Sequence, residues 1–173
     1  MKIHTMKIIL LSLLLAIGCG PIAVVDRLPN GNPILIRSPQ PDAYVLRDLQ
    51  EKYQLRTVIN LRGERLADWY LEESLACSDL HIKLISIKAS GRHPPSDEQI
   101  QEFLAILSDP ANYPILLHCQ GGIHRTGAYI AIYRLLVQRR ASAEVLDELE
   151  NNYFDWTIED RSAIKEWIRS FSP

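Results

Sequence analysis

The sequence predicts a single α/β domain, with a small, mostly parallel central sheet flanked by helices. Short apolar runs rich in β-branched residues alternate with longer amphipathic runs, an order typical of strands joined by crossover helices. The chain has 173 residues and is 47% hydrophobic, which allows one sizeable core but not two. One strand-like run leads through a glycine-containing loop directly into a helical pattern, which favours a ligand site at that junction.

Residues 1–19 are predicted to be a signal peptide rather than part of the domain. Two lysines and a histidine precede an apolar run at residues 8–17, which is too short to span a bilayer. The run ends in Leu-Ala-Ile-Gly-Cys, which resembles the lipobox of bacterial lipoproteins. The resemblance implies a lipid on Cys19 and an exported protein, in the bacterial periplasm or anchored to a membrane. An uncleaved membrane anchor and an ordinary cleavage site are the alternatives.

The folded domain is predicted at residues 33–173, after a linker at residues 20–32 that is rich in proline and glycine. Strands are predicted from short apolar runs at residues 34–36, 57–61, 81–87 and 114–118. Helices are predicted from amphipathic spacing, first after Asp42 and then at about residues 64–77, 96–107, 126–140, 142–153 and 158–171. Ser96 and Gln99 form a capping-box pattern at the start of the third helix.

Polar segments follow several of the predicted strands. In sheets of this kind, ligands bind beyond the carboxyl ends of the strands. We therefore expect one edge of the sheet to bring together Arg37-Ser38, Arg62, the loop at residues 90–93, and the stretch from Cys119 to Arg125.

The most informative stretch is residues 118–127, with the sequence His-Cys-Gln-Gly-Gly-Ile-His-Arg-Thr-Gly. The amides of a glycine-containing loop and the positive end of the helix that follows form an anion site. Arg125 supplies a planar set of donors that fits two oxygens of one phosphate. Cys119 begins the loop, and a thiol in this positive field loses its proton more readily than a free thiol. A thiolate beside a bound phosphate is a nucleophile directed at phosphorus.

The pattern His-Cys-x5-Arg-Thr-Gly resembles the signature of the cysteine-dependent protein tyrosine and dual-specificity phosphatases. The segments at residues 36–41, 58–62 and 93–98 are similar to those of the compact atypical dual-specificity phosphatases of plants, fungi and bacteria. The resemblance covers roughly residues 31 to 155. It implies a phosphatase-type phosphate-binding loop between a strand and a helix, and hydrolysis of phosphomonoesters through a phosphocysteine. Some of these relatives act on inositol pyrophosphates rather than on phosphoproteins.

The predicted mechanism assigns a role to each part of the loop. Cys119 attacks phosphorus, and Thr126 donates its hydroxyl to the sulfur, which helps the sulfur to leave. His118 orients the loop, as the resemblance suggests, or is simply the last inward residue of its strand. Arg37 and Arg62 either line the pocket or serve structural or solvated roles. The phosphate oxygens are bound by the Arg125 side chain and by the amides of Gln120, Gly121, Gly122, Ile123, His124 and Arg125.

The general acid is the least specified part of the predicted mechanism. Larger relatives carry an aspartate on a mobile loop before the cysteine, but no acidic residue lies between Asp79 and Asp97 here. Asp97 is the candidate to protonate the leaving oxygen, because it lies near the loop expected at the carboxyl edge of the sheet. The alternative is that Asp97 only complements the dipole of the helix that it begins. His93 and Glu98 are further candidates.

Three other functions are alternatives to this one. The alternatives are an inositol polyphosphate or pyrophosphate phosphatase, a rhodanese-like sulfurtransferase and a non-catalytic phosphate-binding module. The expected partner is a phosphorylated protein or a small phosphate ester, and the net charge of −2 gives no indication of nucleic acid. No metal or other cofactor is expected, because no cluster has metal-ligand spacing. Cys77 is interpreted as a core residue, or as a reversible disulfide partner of Cys119.

Overall fold

The computed structural model of the protein describes residues 21–152 and 162–171. It confirms the predicted α/β class, with a five-stranded sheet between two layers of helices. The strands are β1 (Ala23–Arg27), β2 (Pro33–Ser38), β3 (Thr57–Asn60), β4 (Lys83–Ser86) and β5 (Ile115–His118). The helices are α1 (Ala43–Tyr53), α2 (Asp68–Asp79), α3 (Asp97–Ser108), α4 (His124–Ile132), α5 (Ser142–Asn152) and α6 (Ser162–Arg169). A short 3₁₀ turn occupies Pro110–Asn112, and a π-helical stretch at Tyr133–Val137 continues α4.

The sheet has the strand order β1-β2-β5-β3-β4, and all its strands except β1 run parallel. The register aligns the last residues of the four parallel strands across the sheet, so that these strands end at one level. The aligned residues are Ser38, His118, Asn60 and Ser86. Because each is polar, the apolar sheet changes into a polar edge at the level where the loop after β5 begins.

The linker predicted at residues 20–32 is corrected by the structure, because Ala23–Arg27 form the edge strand β1. This strand pairs antiparallel with β2 through a hairpin in which Gly31 has a φ of +87°. The proline and glycine of the segment therefore mark a tight turn rather than a linker. Asp26 fixes the strand to the π-helical stretch, accepting from the Tyr133 hydroxyl at 2.5 Å and from Gln138 Nε2 at 2.8 Å.

The core lies on both faces of the sheet, as expected for parallel strands whose side chains alternate between two helical layers. On β5, Ile115 and Leu117 face the cluster that includes α3 and α4, whereas Leu116 faces the cluster that includes α1 and α2. The same alternation directs His118 toward the α1/α2 layer. The direction in which the last residue of β5 points is therefore set by the pleat of the strand.

Two of the predicted helices differ in their bounds from the helices of the structure. The helix expected to begin at residue 64 begins at Asp68, because Gly63 lies in the left-handed region at φ +78° and turns the chain against Lys88. The helix expected at residues 126–140 is regular only to Ile132, and then widens into π-helical geometry.

The predicted signal peptide at residues 1–19 and its lipidation site Cys19 lie outside the described residues, as does the start of the helix predicted at residue 158. Within the described part of the chain, none of the helices is both long and apolar enough to cross a membrane.

Candidate active site

The Cys119 loop, residues 119–123, connects the end of β5 to the start of α4. Its sharpest constraint is at Gly122, where φ is +68°. A Cβ atom built there would lie 2.6 Å from backbone atoms of Ser38 and Pro39. Any side chain at this position would meet the backbone beyond β2, so the glycine allows the Cys119 loop and the turn after β2 to lie in direct contact.

Hydrogen bonds from the neighbouring strand ends hold the Cys119 loop. The Arg37 guanidinium donates to the carbonyl oxygen of Gly122. The amide of Gln40 donates to the Gln120 carbonyl at 3.0 Å, and the Leu61 amide donates to the His118 carbonyl at 2.9 Å. Since Arg37 is 2% exposed, its contact with the loop is a buried structural one. The loop is thus fixed from the β2 side and from the β3 side.

The surroundings of Cys119 favour its thiolate. The residue is 3% exposed, and burial by itself would raise the pKa of the thiol. The hydroxyl and amide of Thr126, the charge of Arg125 and the amide of Gly122 outweigh burial, and they hold the Cys119 pKa below its usual range. Among the described residues the buried Thr126 hydroxyl makes no other hydrogen bond, so it is available to the sulfur. The loop therefore holds a cysteine whose thiolate form is favoured.

Arg125 and Arg62 bring two positive charges within electrostatic reach of Cys119. Arg125 lies in the first turn of α4, and its Nη1 donates to the Leu61 carbonyl oxygen at 3.5 Å. Arg62 lies 3.4 Å above the Trp69 ring and donates to Gln40 Oε1 at 2.7 Å. Burial, followed by the charge of Arg125, lowers the pKa of Arg62, while the Cys119 charge acts in the opposite direction. Two guanidinium groups within electrostatic reach of each other and of Cys119 are suited to bind an anion.

A buried polar cluster lies beside the start of the Cys119 loop. His118 Nε2 lies 2.6 Å from Glu73 Oε1, and Asn60 Nδ2 donates to Glu73 Oε2 at 3.1 Å. All three residues are at most 2% exposed. Sequence reasoning missed Glu73, although a signal was present. The residue occupies the helix face of α2 that Ala76 and Cys77 also share, where an apolar side chain is expected.

Comparison with known families shows to which family this chain belongs. The family model described as "PTP-NADK: DSP-PTPase phosphatase fused to NAD+ Kinase" matches residues 31–168. The chain belongs to this DSP-PTPase family. The match contains the four parallel strands β2, β3, β4 and β5, the Cys119 loop and α4.

Individual relatives agree with the assignment. "Putative tyrosine-protein phosphatase OCA1" of Mycosarcoma maydis is 34% identical over 116 residues, which are 65% of this chain and 70% of that protein. "NAD kinase 2, chloroplastic" of Arabidopsis thaliana is 29% identical over 92 residues, 52% of this chain but only 9% of the plant protein. The core catalytic domain of the PP-IP phosphatase SIW14 from S. cerevisiae, solved with citrate, superposes with a TM-score of 0.67 at 25% identity, over 82% of each chain.

The candidate general acids of this DSP-PTPase domain lie at the start of α3. The predicted capping box is present there: Gln99 N donates to Ser96 Oγ at 3.4 Å, and Ser96 N donates to Gln99 Oε1 at 3.0 Å. Asp97 is the first residue of α3 and is exposed. A hydrogen bond with Ser96 lowers the pKa of Glu98, which makes Glu98 a poorer proton donor. His93 is also exposed, and its amide donates to Ser90 Oγ.

The DSP-PTPase domain keeps its two described cysteines apart. Cys77 and Cys119 are both free, and they belong to core clusters on opposite faces of the sheet. Burial, and then the charge of Glu73, raises the pKa of Cys77 to about 12. This environment is typical of a core thiol. Within residues 21–152 and 162–171, no three side chains of the kinds that bind metals are grouped to hold an ion.

Proposed function

We propose that the protein is a phosphomonoester phosphatase that acts through a phosphocysteine on Cys119. The observation that carries this proposal is the buried Cys119 thiol, whose pKa is lowered by groups of its own loop and of the first turn of α4. Membership of the DSP-PTPase family supports the same chemistry. Turnover of an aryl phosphate by the purified protein is the first test, and a complete lack of turnover would reject the proposal.

The proposed reaction has two displacement steps. In the first, the Cys119 thiolate forms a bond to phosphorus, and the bond from phosphorus to the leaving oxygen breaks as that oxygen takes up a proton. In the second, water attacks phosphorus, the S–P bond breaks, and inorganic phosphate is released. Arg125 and the loop amides hold the equatorial oxygens throughout, where the negative charge develops. Thr126 stabilises the sulfur as it leaves with the electron pair.

The proposed substrates are phosphotyrosine and phosphothreonine or phosphoserine in proteins. The name of the relative from Mycosarcoma maydis describes a tyrosine-protein phosphatase, and the match covers 70% of that protein. A second candidate is an inositol pyrophosphate, because Arg62 lies within electrostatic reach of Arg125 and offers a second cation for a second phosphate. The relative SIW14 is described as a PP-IP phosphatase. A panel of phosphopeptides, inositol pyrophosphates and a simple aryl phosphate, compared by kcat/KM, discriminates the two.

We propose Asp97 as the general acid, and Asp97→Asn tests this assignment. If Asp97 protonates the leaving oxygen, the variant should hydrolyse phosphotyrosine about 10²-fold more slowly. It should hydrolyse an aryl phosphate with an acidic phenol nearly as fast as the wild type, since that leaving group needs no proton. The alkaline limb of the pH–rate profile should also disappear.

Glu98→Gln is the matched comparison, because it removes a carboxylate from the same exposed first turn of α3. Since Glu98 is itself a candidate, selective slowing of phosphotyrosine hydrolysis by this variant alone would assign the acid to Glu98 instead. If Asp97 only complements the helix dipole, Asp97→Asn and Glu98→Gln should lower stability to a similar extent. Neither variant should then change the rate on phosphotyrosine or on the aryl phosphate. Equal slowing of the two substrates by Asp97→Asn would also reject Asp97 as the acid.

The two other functional classes have direct tests. A rhodanese-like sulfurtransferase would transfer sulfur in a thiosulfate:cyanide assay, whereas the six-residue step from Cys119 to Arg125 followed by Thr126 supports phosphate chemistry. A non-catalytic phosphate-binding module would bind phosphate analogues without turning over any phosphate ester. The favourable environment of the thiolate supports an enzyme instead.

We also propose export and lipidation of Cys19. The short apolar run at residues 8–17, which ends in Gly18-Cys19, supports this proposal. The mature protein should begin at a diacylated Cys19, and mass spectrometry of the N-terminal peptide from the native host measures it. Cys19→Ser should prevent the modification. An unmodified wild-type chain that begins at Met1 or Met6 would reject the proposal.

A further inference from the structure

A buried carboxylate connects the ends of the two central strands at the point where the Cys119 loop begins. The register places Asn60, the last residue of β3, opposite His118, the last residue of β5. Glu73 reaches both of them from α2, with its Oε2 on the Asn60 amide and its Oε1 2.6 Å from His118 Nε2. The side chains of Glu73 and His118 are fully buried.

Stability alone does not account for this cluster. A buried carboxylate loses its hydration, and the gain from pairing in the interior often does no more than offset that loss. Apolar side chains of similar size would hold α2 against the strand ends at least as well. A carboxylate differs from them in one respect, because it can fix the orientation and the protons of a histidine ring.

Both nitrogens of the His118 ring face oxygen atoms. Nε2 faces Glu73, and Nδ1 lies 3.2 Å from the carbonyl oxygen of Cys119. The Nε2 contact is close but is not aligned as a linear hydrogen bond. With Glu73 ionised, a ring that carries a proton on each nitrogen satisfies both oxygens, whereas a neutral ring would leave one nitrogen lone pair against an oxygen.

We propose that Glu73 is a positioning residue that holds His118 in its doubly protonated form, with the Nδ1–H donated to the Cys119 carbonyl. The positive ring then lies next to the nucleophile, and the negative carboxylate lies on its far side. This arrangement stabilises the Cys119 thiolate and fixes the first peptide group of the Cys119 loop. The catalytic consequence rests on the proposed function, but the effect on the thiolate does not.

Other charged or titratable groups surround the Glu73–His118 pair. The charge of Glu73 also acts on Arg62 and on the Cys77 thiol, and Arg62 in turn interacts with Arg125 and Cys119. Replacing Glu73 therefore changes more than one contact. The test must follow Cys119 itself, and it needs a control that removes a carboxylate from the same helix without removing the contact with His118.

Glu73→Gln is the appropriate substitution, because it keeps the shape and hydrogen-bonding capacity of the side chain and removes its charge. The readout is the rate at which iodoacetamide alkylates Cys119 as a function of pH, followed on the Cys119 peptide by mass spectrometry. We expect the midpoint to move upward by about one pH unit, which makes alkylation about tenfold slower below the midpoint. The acid limb of kcat/KM should move by the same amount. Glu72→Gln, on the exposed side of α2, should leave both unchanged.

A folded Glu73→Gln variant with an unchanged alkylation midpoint would overturn the proposal, even if its melting temperature fell. If that variant does not fold, ¹⁵N NMR of the wild-type histidine rings decides. The proposal requires protons on both nitrogens of His118 near neutral pH, and a single proton there would overturn it. Should the midpoint shift as expected in a protein that hydrolyses no phosphate ester, the proposed function fails while the role of Glu73 stands.

Discussion

Cys119→Ser is expected to abolish turnover, by at least about 10³-fold, while binding of a phosphate analogue survives. The serine hydroxyl occupies the same place, but it does not ionise in the field that lowers the pKa of the Cys119 thiol. The hydrogen bond from Arg37 to the Gly122 carbonyl and the close approach of Gly122 to Ser38 and Pro39 keep the loop in its shape, because neither contact involves the sulfur. Initial rates with an aryl phosphate, and calorimetric titration with tungstate, measure the two properties separately.

Cys77→Ser is the matched control for this experiment. It makes the same chemical exchange at a second buried cysteine, in the core cluster on the opposite face of the sheet. Activity per folded molecule should remain near that of the wild type. If Cys119→Ser retained hydrolysis, or if Cys77→Ser lost it with its fold intact, the assignment of the nucleophile would be wrong.

Arg125→Lys is expected to lower kcat by about 10² to 10³-fold without unfolding the protein. Lysine keeps the positive charge, but it cannot offer two parallel N–H groups to two oxygens of one phosphoryl group. Since the oxygens carry the most charge in the transition state, kcat should fall more than affinity for phosphate. Steady-state kinetics with an aryl phosphate separate these quantities.

Arg62→Lys provides the comparison for Arg125→Lys. It is the same substitution at the neighbouring guanidinium, and it removes the stacking on Trp69 and the planar donor to Gln40. We expect it to change KM for multiply charged substrates more than kcat for a simple aryl phosphate. A loss of kcat equal to that of Arg125→Lys would show that the two arginines act as one unit.

The parts of the site that lie in one contiguous stretch could be predicted from the sequence. Cys119, Arg125 and Thr126 are separated by short, fixed distances along a strand–loop–helix unit, so local pattern is enough to place them together. The parallel sheet could be predicted for the same reason, since each strand carries its own apolar signal. The chemistry of the thiol follows from its position at the start of a loop that leads into the first turn of a helix.

The remaining features depend on pairing between distant segments. Arg37 contacts Gly122 only because β2 lies directly beside β5 in the sheet, an order that no local pattern specifies. β1 is not predicted because its turn residues also suit a linker. The hydrogen bond that fixes the strand joins Asp26 to Tyr133, which lies far away in sequence. Glu73 was missed because a glutamate in a helix is ordinarily solvated, and its partner His118 is far away in sequence.

The most direct test of the phosphocysteine mechanism is to trap the intermediate. The protein is mixed with an aryl phosphate that has a good leaving group, quenched in acid within the first turnover, and digested for mass spectrometry. The mechanism predicts one phosphoryl group on the peptide that contains Cys119, absent from Cys119→Ser and lost again as the substrate is exhausted. Rapid turnover with no phosphorylated Cys119 peptide at any time, or with the phosphoryl group on another residue, would contradict it.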